Sequence, residues 1–547
     1  MKKYSVVLIY FFLSAIVAHG QSPDWSWARK GNGDSYFKDV SALSTEGCIS
    51  AGSFTNTVIF NSSVLTSIGN ADGCLVSYDS AGIVSWVKSI SGVEDEVISC
   101  VTTDQSGYIY IAGSFNSPSC TIGNITLFNP GYNFTWKYGE IFIAKLDPSG
   151  NLIWAKAIAG SGDEYASGMT MSGDSVIYLT GSFTSDSLFL GNDTIYRLSQ
   201  GDIYLLKMDT AGTIQWGSAT GGNNTDYSSD ICIDNSGNVY VSATSYSNFS
   251  FGSSVITNAG ERDAILLKWN SSGTPLWAKE FSSATGDFNH GICADVSGNI
   301  YTCGNYTTSA FDANGIALPP LGGSQLFVIK TDSSGNTIWA KSFGGLFEEV
   351  AIDICYQNNG IIIGGQFLSP EFILGNDTLY NTSNGFETDV YLFKMDLTGN
   401  VLWSTEIQGN SREFTYAIDA NNSSALFISG TFYSTVMNFG TSGTVLNNTN
   451  NVFQAYIGKL DITSTGLYNL STDEVFIYPN PASQYFTLQF IGAKCDIQIF
   501  NIEGKLVKGC SLTHANEKID INHLNPGIYF VKLHDKEGYK SGRILVR

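Results

Sequence analysis

Histidine is rare in this sequence, five residues in 547, and its placement excludes most histidine chemistry. His19 lies in an apolar N-terminal run, and His514, His523 and His534 lie in a C-terminal segment of different character, leaving His290 alone in the long middle. A Ser/His/Asp triad or a multi-histidine metal centre would have to be built on that one imidazole beside Asp287. Calcium loops of the DxDxDG type are absent as well. The sequence therefore nominates no catalytic residue, no metal site and no cofactor. Positive charge is also short: 28 Lys+Arg against 49 Asp+Glu give a formal charge of -21, which repels phosphate backbones and anionic membrane surfaces and argues against nucleic-acid binding. Proline is scarce beside glycine, 11 against 58, the balance of a chain of short strands and tight turns. Past the N-terminus no apolar run is long enough for a transmembrane segment in the mature chain.

The N-terminus has the layout of an export signal. Lys2 and Lys3 precede a nearly unbroken apolar run from Val6 to Val17, and Ala18, His19, Gly20 form a small-x-small cleavage site before Gln21. Residues 1–20 are expected to be a signal peptide, cut between Gly20 and Gln21.

What the middle of the chain does have is a repeat. Trp27, Trp86, Trp154, Trp216, Trp277, Trp339 and Trp403 recur at gaps of 59 to 68 residues, a period that marks an array of small units burying a core against one another. Aligned on tryptophan, each repeat shows a DxSGN-type turn followed by an alternating strand, as in Asp234–Val241 and Asp295–Tyr301. An apolar strand ending in lysine comes next, as in Asp202–Lys207, Asp263–Lys268 and Asp389–Lys394. A second tight turn then leads into the tryptophan strand, as in Asp147–Lys156 and Asp332–Lys341. With the variable strand before the first turn, every repeat holds four antiparallel strands, the blade of a β-propeller. The last repeat reaches Asp461 without a tryptophan strand, whereas Trp25–Arg29 is an orphan one. Supplying the last blade's outer strand from the N-terminus closes a ring of seven and leaves no unpaired edge. These patterns resemble the secreted bacterial β-propeller repeat (SBBP-type) proteins over residues 25 to 461, a likeness that speaks for fold and leaves function open.

After a Ser/Thr-rich linker, 462–474, residues 475–547 carry short strands separated by turn chemistry, the pattern of a small β-sandwich. Tyr478, Pro479, Asn480 and Pro481 (YPNP), the Asn501–Lys505 turn containing Gly504, Leu524–Tyr529 (LNPGIY, with Gly527 and Tyr529) and the terminus Arg543–Arg547 resemble the type A C-terminal sorting domain of the type IX secretion system. The resemblance implies delivery by that machinery across the outer membrane, to a secreted or outer-surface location. Cys495 and Cys510 fall opposite one another, and within disulfide reach, if their hairpin closes on two residues. A bulge at Gly504 would instead set Cys510 against Asp496. Cys232, Cys293 and Cys355 occupy one equivalent strand position and read as small core residues.

Strand direction places the two regular turns of every blade on one rim and the variable connections on the other. Those connections run from 16 to 24 residues, the longest being 116–139, and variation gathered on one face is where binding evolves. In the longest, Tyr132, Phe134, Trp136 and Tyr138 alternate and would share one face of a strand, able to stack on a sugar or to pack their own hairpin. An acidic residue stands near the start of each blade: Asp34, Asp95, Asp163, Asp226, Asp287, Glu349 and Glu413, with Tyr36, Tyr165, Tyr227, Phe288 and Phe414 nearby. Recurrence in every repeat favours turn capping, and a cation-collecting ring is the alternative. The expectation is an all-β chain, a seven-bladed β-propeller over 21–461 followed by a small C-terminal β-sandwich sorting domain. It would act as a secreted or cell-surface binding module, an adhesin or a receptor for a glycan or surface protein, with Tyr132, Phe134, Trp136, Tyr138, Asp287 and His290 as candidate ligand residues. Alternatives are a polysaccharide hydrolase or lyase using rim carboxylates, and a surface matrix scaffold.

Overall fold

The computed structural model describes residues 23–462 except 136, 192, 308, 384, 422–424 and 441–442, and in the tail 476–478, 482, 484–489, 495–501, 505–512, 518–535 and 538–546. Residues 1–20, and with them the expected cleavage site, lie outside these. Every regular element among the described residues is a β-strand. The chain divides into two compact units, Met1–Thr463 and Ser464–Arg547.

The second blade shows how the repeat folds. Its strands Glu96–Thr103, Ile109–Phe115, Glu140–Leu146 and Leu152–Ile158 pair antiparallel in that order from the axis outward. The turn between the first two is held by the Asp104 carboxylate, which accepts the N–H groups of Ser106 (3.0 Å) and Tyr108 (2.9 Å), an Asx turn. The middle strands are buried along their whole length because neighbouring blades cover both faces of each sheet. They therefore read as continuous apolar runs, as two-sided burial requires.

Seven such blades occur, five as separate four-stranded sheets and two extended to six strands by the hairpin of the following blade's connection. Their inner strands are Ser35–Ala42, Glu96–Thr103, Glu164–Ser172, Tyr227–Ile233, Asp287–Ala294, Glu349–Tyr356 and Glu413–Ala420. Each touches the next, and the last touches the first, so the ring is closed. The seventh sheet takes its outer strand from the N-terminus: Asp24–Lys30 pairs with Gln454–Asp461, Trp25 opposite Leu460 and Trp27 opposite Lys459, as the orphan tryptophan strand predicts.

The tryptophan comb clasps the blades together. Each ring lies over the glycine of the following blade's outer turn: Trp27 over Gly82, Trp86 over Gly150, Trp154 over Gly212, Trp216 over Gly273, Trp277 over Gly335 and Trp339 over Gly399. Several indole N–H groups also donate to a carbonyl of that turn, as Trp27 does to Ser80 (2.9 Å) and Trp154 to Thr210 (3.1 Å). The clasp is missing at one junction, between blades six and seven, because blade seven has no outer turn. There Trp403 is buried in a cluster with Trp25, and Trp25 meets Phe439 edge-on at 5.0 Å.

The variable connections are more regular than their sequences suggest. Each begins as a β-hairpin, for example Ser119–Ile122 with Ile125–Phe128 and Glu371–Leu374 with Asp377–Tyr380. The hairpin of blade two lies between its own outer strand and that of blade one, pairing Ile122 with Ile90. Most of the added length thus braces blades, and what varies on the rim is the few residues after each hairpin.

In the tail, Phe476–Tyr478, Tyr485–Gln489 and Ile519–Asp520 form one sheet, and Leu506–Leu512, Cys495–Phe500, Gly527–Asp535 and Gly538–Val546 another. Phe486 and Ile519 from the first share a core with Ile497, Leu512, Val531 and Ile544 from the second, the expected sandwich. The Tyr529 hydroxyl donates to the Asn525 carbonyl at 2.9 Å, pinning the LNPGIY corner. The register corrects the cysteine geometry: Cys495 stands opposite Leu512, and Cys510 opposite Ile497, after a shift between Ile499 and Phe500. The direct opposition expected from a two-residue loop is not formed; the loop residues, Gly504 among them, and Pro479, Asn480 and Pro481 lie outside the described residues.

Candidate functional site: the channel and its variable mouth

Every inner strand bulges at the same depth. The extra residues are Lys38, Ser99, Ser167, Ser229, the pair His290–Gly291, Ile352 and Tyr416. All of them line a channel of ≈ 580 Å³, and no two neighbours present the same surface except the serines. Lys38 Nζ sits 4.2 Å from the Tyr416 ring centre and 5.5 Å from that of Tyr36, and burial pushes its pKa down.

Four aspartates that sequence reasoning did not single out stitch these strands together. Asp39, Asp230, Asp353 and Asp419 each accept the N–H of their own following residue and one from the next blade, respectively Val101 (2.6 Å), Ile292 (3.0 Å), Ile418 (2.8 Å) and Ala42 (2.8 Å). Burial raises all four; Asp39 reaches about 7 and Asp419 about 6, even though the backbone donors pull the other way. The identical Asp-Ile-Cys triplets at 230–232 and 353–355 were the available signal. The cysteines that follow are core residues as expected, Cys232 and Cys293 buried and Cys355 half-buried.

The acidic ring lies one residue away from where the sequence alignment put it in three blades. The equivalent first positions of the inner strands are Ser35, Glu96, Glu164, Asp226, Asp287, Glu349 and Glu413, all fully buried, whereas Asp34, Asp95 and Asp163 are their outward neighbours. These buried acids meet a second set at the start of the third strands: Asp72, Glu140, Asp202, Asp263 and Asp389, also buried, each beside the acid of the next blade. Burial pushes Glu96 to about 7, Asp287 to about 7 and Glu413 to about 10, and raises Glu164 beside Glu140. Where Glu164 meets Glu140 and Glu413 meets Asp389, the raised carboxyl keeps its proton beside the other. Asp287 is engaged by the Ser283 N–H (2.5 Å) and hydroxyl (2.8 Å), so it caps a turn and offers nothing to solvent.

His290 does not join it. Its Nε2 is 3.0 Å from Asn305 Oδ1, its ring lies parallel to Phe288 at 5.9 Å, and burial lowers its pKa. The aromatic row is also rearranged. The described residues between 129 and 139 form turns rather than a strand, with Lys137 at φ 50° and its N–H bonded back to Asn133. Alternation therefore no longer aligns the side chains: Tyr132 and Phe134 touch edge-to-face at 5.0 Å, Phe134 is 85% exposed, Tyr138 is half-buried, and Trp136 lies outside the described residues.

The aromatics at the mouth come instead from the position after each of the buried rim residues: Tyr165 and Tyr227, exposed, and Tyr36, Phe288 and Phe414, half-buried, with Val97 and Val350 in the other two blades. Tyr165 and Tyr227 are each 47% exposed. Arg262 stacks on Phe288 at 3.9 Å and donates to the Tyr246 hydroxyl at 3.2 Å. Among the described residues no group of three or more His, Cys, Asp or Glu side chains could hold a metal ion, and no helix is long and apolar enough to cross a membrane.

Residues 476–547 match the secretion system C-terminal sorting domain. The chain therefore ends in a type IX sorting domain behind a β-propeller, the layout of a secreted or cell-surface module. It is 23% identical over 449 residues to an uncharacterized WD repeat-containing protein of Acanthamoeba polyphaga mimivirus, matching 69% of this chain but spanning about a third of that relative, 32%. Among solved structures it is similar to PorZ, a surface component of the type IX secretion system of Porphyromonas gingivalis, at 13% identity, 93% of this chain, 81% of that one and a TM-score of 0.21. It is also similar to the Pan2 WD40 domain of Neurospora crassa, at 12% identity, 66% and 88% coverage and a TM-score of 0.33.

Proposed function

We propose that this protein is an adhesin or receptor whose propeller binds a glycan or protein partner at the variable mouth of the channel. In this reading residues 1–20 direct export to the periplasm, the linker 462–474 presents the tail, and the type IX machinery, engaging 475–547, delivers the propeller to the surface or the medium. The observation that supports it is the half-exposed aromatic collar Tyr36, Tyr165, Tyr227, Phe288 and Phe414. The ring faces left to solvent at this mouth are of the kind that stack on sugars or fill a partner's apolar pockets. Full burial of Glu96, Asp287 and Glu413 favours binding over hydrolysis at those three acids.

The test is binding of the purified full-length chain to cell envelopes and to a glycan array, repeated with Tyr36, Tyr165 and Tyr227 changed together to alanine. The proposal expects binding by the parent and at least tenfold weaker binding by the triple variant at equal folded fraction. No binding by the parent, or equal binding by both, would overturn it.

A further inference from the structure

Blade four breaks the repeat at one residue. In the other six blades the second-strand position opposite the buried rim residue holds a fully buried aromatic: Phe54, Phe115, Phe183, Tyr306, Phe367 and Phe432. In blade four that position is Ser245, equally buried, whose hydroxyl donates to Asp226 Oδ1 at 2.6 Å. The aromatic appears one place later, as Tyr246. A shift of one residue along a strand turns a side chain from one face to the other, and here the ring leaves the core for the rim.

The displaced ring is held rigidly. Arg262 donates to its hydroxyl, the Tyr246 carbonyl accepts the Asn224 side-chain amide at 2.9 Å, and Tyr227 meets it edge-to-face at 6.2 Å. Together with Gln200, Asn224, Thr225 and Glu261 the two tyrosines line an open pocket of ≈ 410 Å³ between the rim segments of blades three and four, within the range of about 300–1,000 Å³ typical of ligand sites.

We infer that this pocket is a binding site for a neutral sugar, one or two pyranose units of a glycan, and this rests on the reading of the mouth as a binding surface. Tyr227 and Tyr246 supply flat faces for the C–H side of a sugar ring. Gln200, Asn224 and Thr225 supply both donors and acceptors, and Glu261 is an acceptor suited to a pair of neighbouring hydroxyls. Charge sets the class of ligand. Among the residues lining the pocket the one charged group is the Glu261 carboxylate; Arg262 is not in the lining, one guanidinium N–H going to the Tyr246 hydroxyl and its plane lying on Phe288. A uronic acid would set its carboxylate near Glu261, and no lining residue supplies a cation to answer it.

The experiment measures calorimetric binding of the full-length chain to neutral gluco-, galacto- and manno-configured disaccharides, each beside its uronic-acid counterpart, and to a lysine-rich peptide. The inference expects binding of at least one neutral sugar, at least tenfold weaker binding of its uronate, about tenfold loss with Tyr227→Ala, and relaxation of the neutral-over-uronate preference to within twofold in Glu261→Gln. Tyr227 is half exposed, so its removal leaves the core intact, and Tyr246→Phe serves as the milder second variant. Tighter binding of uronate, binding of the basic peptide in place of sugar, or sugar binding lost with Tyr36→Ala but kept with Tyr227→Ala would overturn this site while leaving a binding mouth in place. A parent chain that bound no sugar, no peptide and no cell envelope would remove both readings.

Discussion

At Gly82 the backbone holds φ at 73° with the Trp27 ring laid against it, so that a Cβ would come within 2.6 Å of the indole. Two costs coincide there: left-handed backbone for an L-residue, and overlap with a ring fixed by its own hydrogen bond to Ser80. Gly82→Ala is therefore expected to destabilise the propeller by about 2 kcal/mol, read as a lower denaturant midpoint at unchanged slope. The acids act at the same scale. Glu413 is raised to about 10 by burial and faces Asp389, so it is protonated through neutral pH. Glu413→Gln keeps a donor and removes the titration; stability near pH 4 should stay close to that of the parent, while the decline between pH 4 and 10 in thermal melts should flatten. The sequence hid these groups for a specific reason. Glu94, Asp95 and Glu96 are consecutive, as are Asp163 and Glu164, and only the strand's period of two decides which of them faces inward. The channel aspartates were hidden by the bulges, which leave no mark in composition.

At the scale of elements, the tryptophans and the two tight turns were legible because they recur in nearly every blade, and the orphan strand at Trp25 was legible because the last blade lacked one. Pairing of Asp24–Lys30 with Gln454–Asp461 covers the edge that would otherwise be left open. Deleting residues 21–30 should expose that edge at the junction already lacking a tryptophan clasp. The expected outcome is proteolysis beginning in blade seven, within 413–461, together with concentration-dependent association seen by light scattering. Cleavage spread evenly over the blades, with a monodisperse product, would contradict it. The connections were misjudged because a hairpin and a free loop have the same Ser/Asn/Gly-rich composition; pairing such as Ile122 with Ile90 is set by the neighbouring blade, which local sequence cannot reveal.

For the whole molecule, the acids decide how stability follows pH. Asp39, Glu96 and Asp287 at about 7, Asp419 at about 6 and Glu413 at about 10 all lie above their unfolded values of about 4. Between the two values the folded state holds more protons than the unfolded one, so stability falls as pH rises: their contribution is complete below about pH 4 and lost through pH 6–10. The turn acids Asp234, Asp295, Asp332 and Asp396 are lowered by the donors around them, and their contribution is lost only as pH falls below about 4. Melting temperature should therefore peak in mild acid, near pH 4–6, and drop steadily toward pH 9 in calorimetry. Removal of 476–547 should leave that melting profile of the propeller unchanged while the protein accumulates in the periplasm, read by cell fractionation.

The strand that seals the ring precedes its partner by more than four hundred residues along the chain. Asp24–Lys30 must wait unpaired while the blades assemble, and the circle cannot shut on the ribosome until residue 461 has emerged. A chain built this way stays threadable until late and rigid afterwards. On the export route proposed above, such a chain would cross a first membrane as an open polymer and a second as a finished wheel.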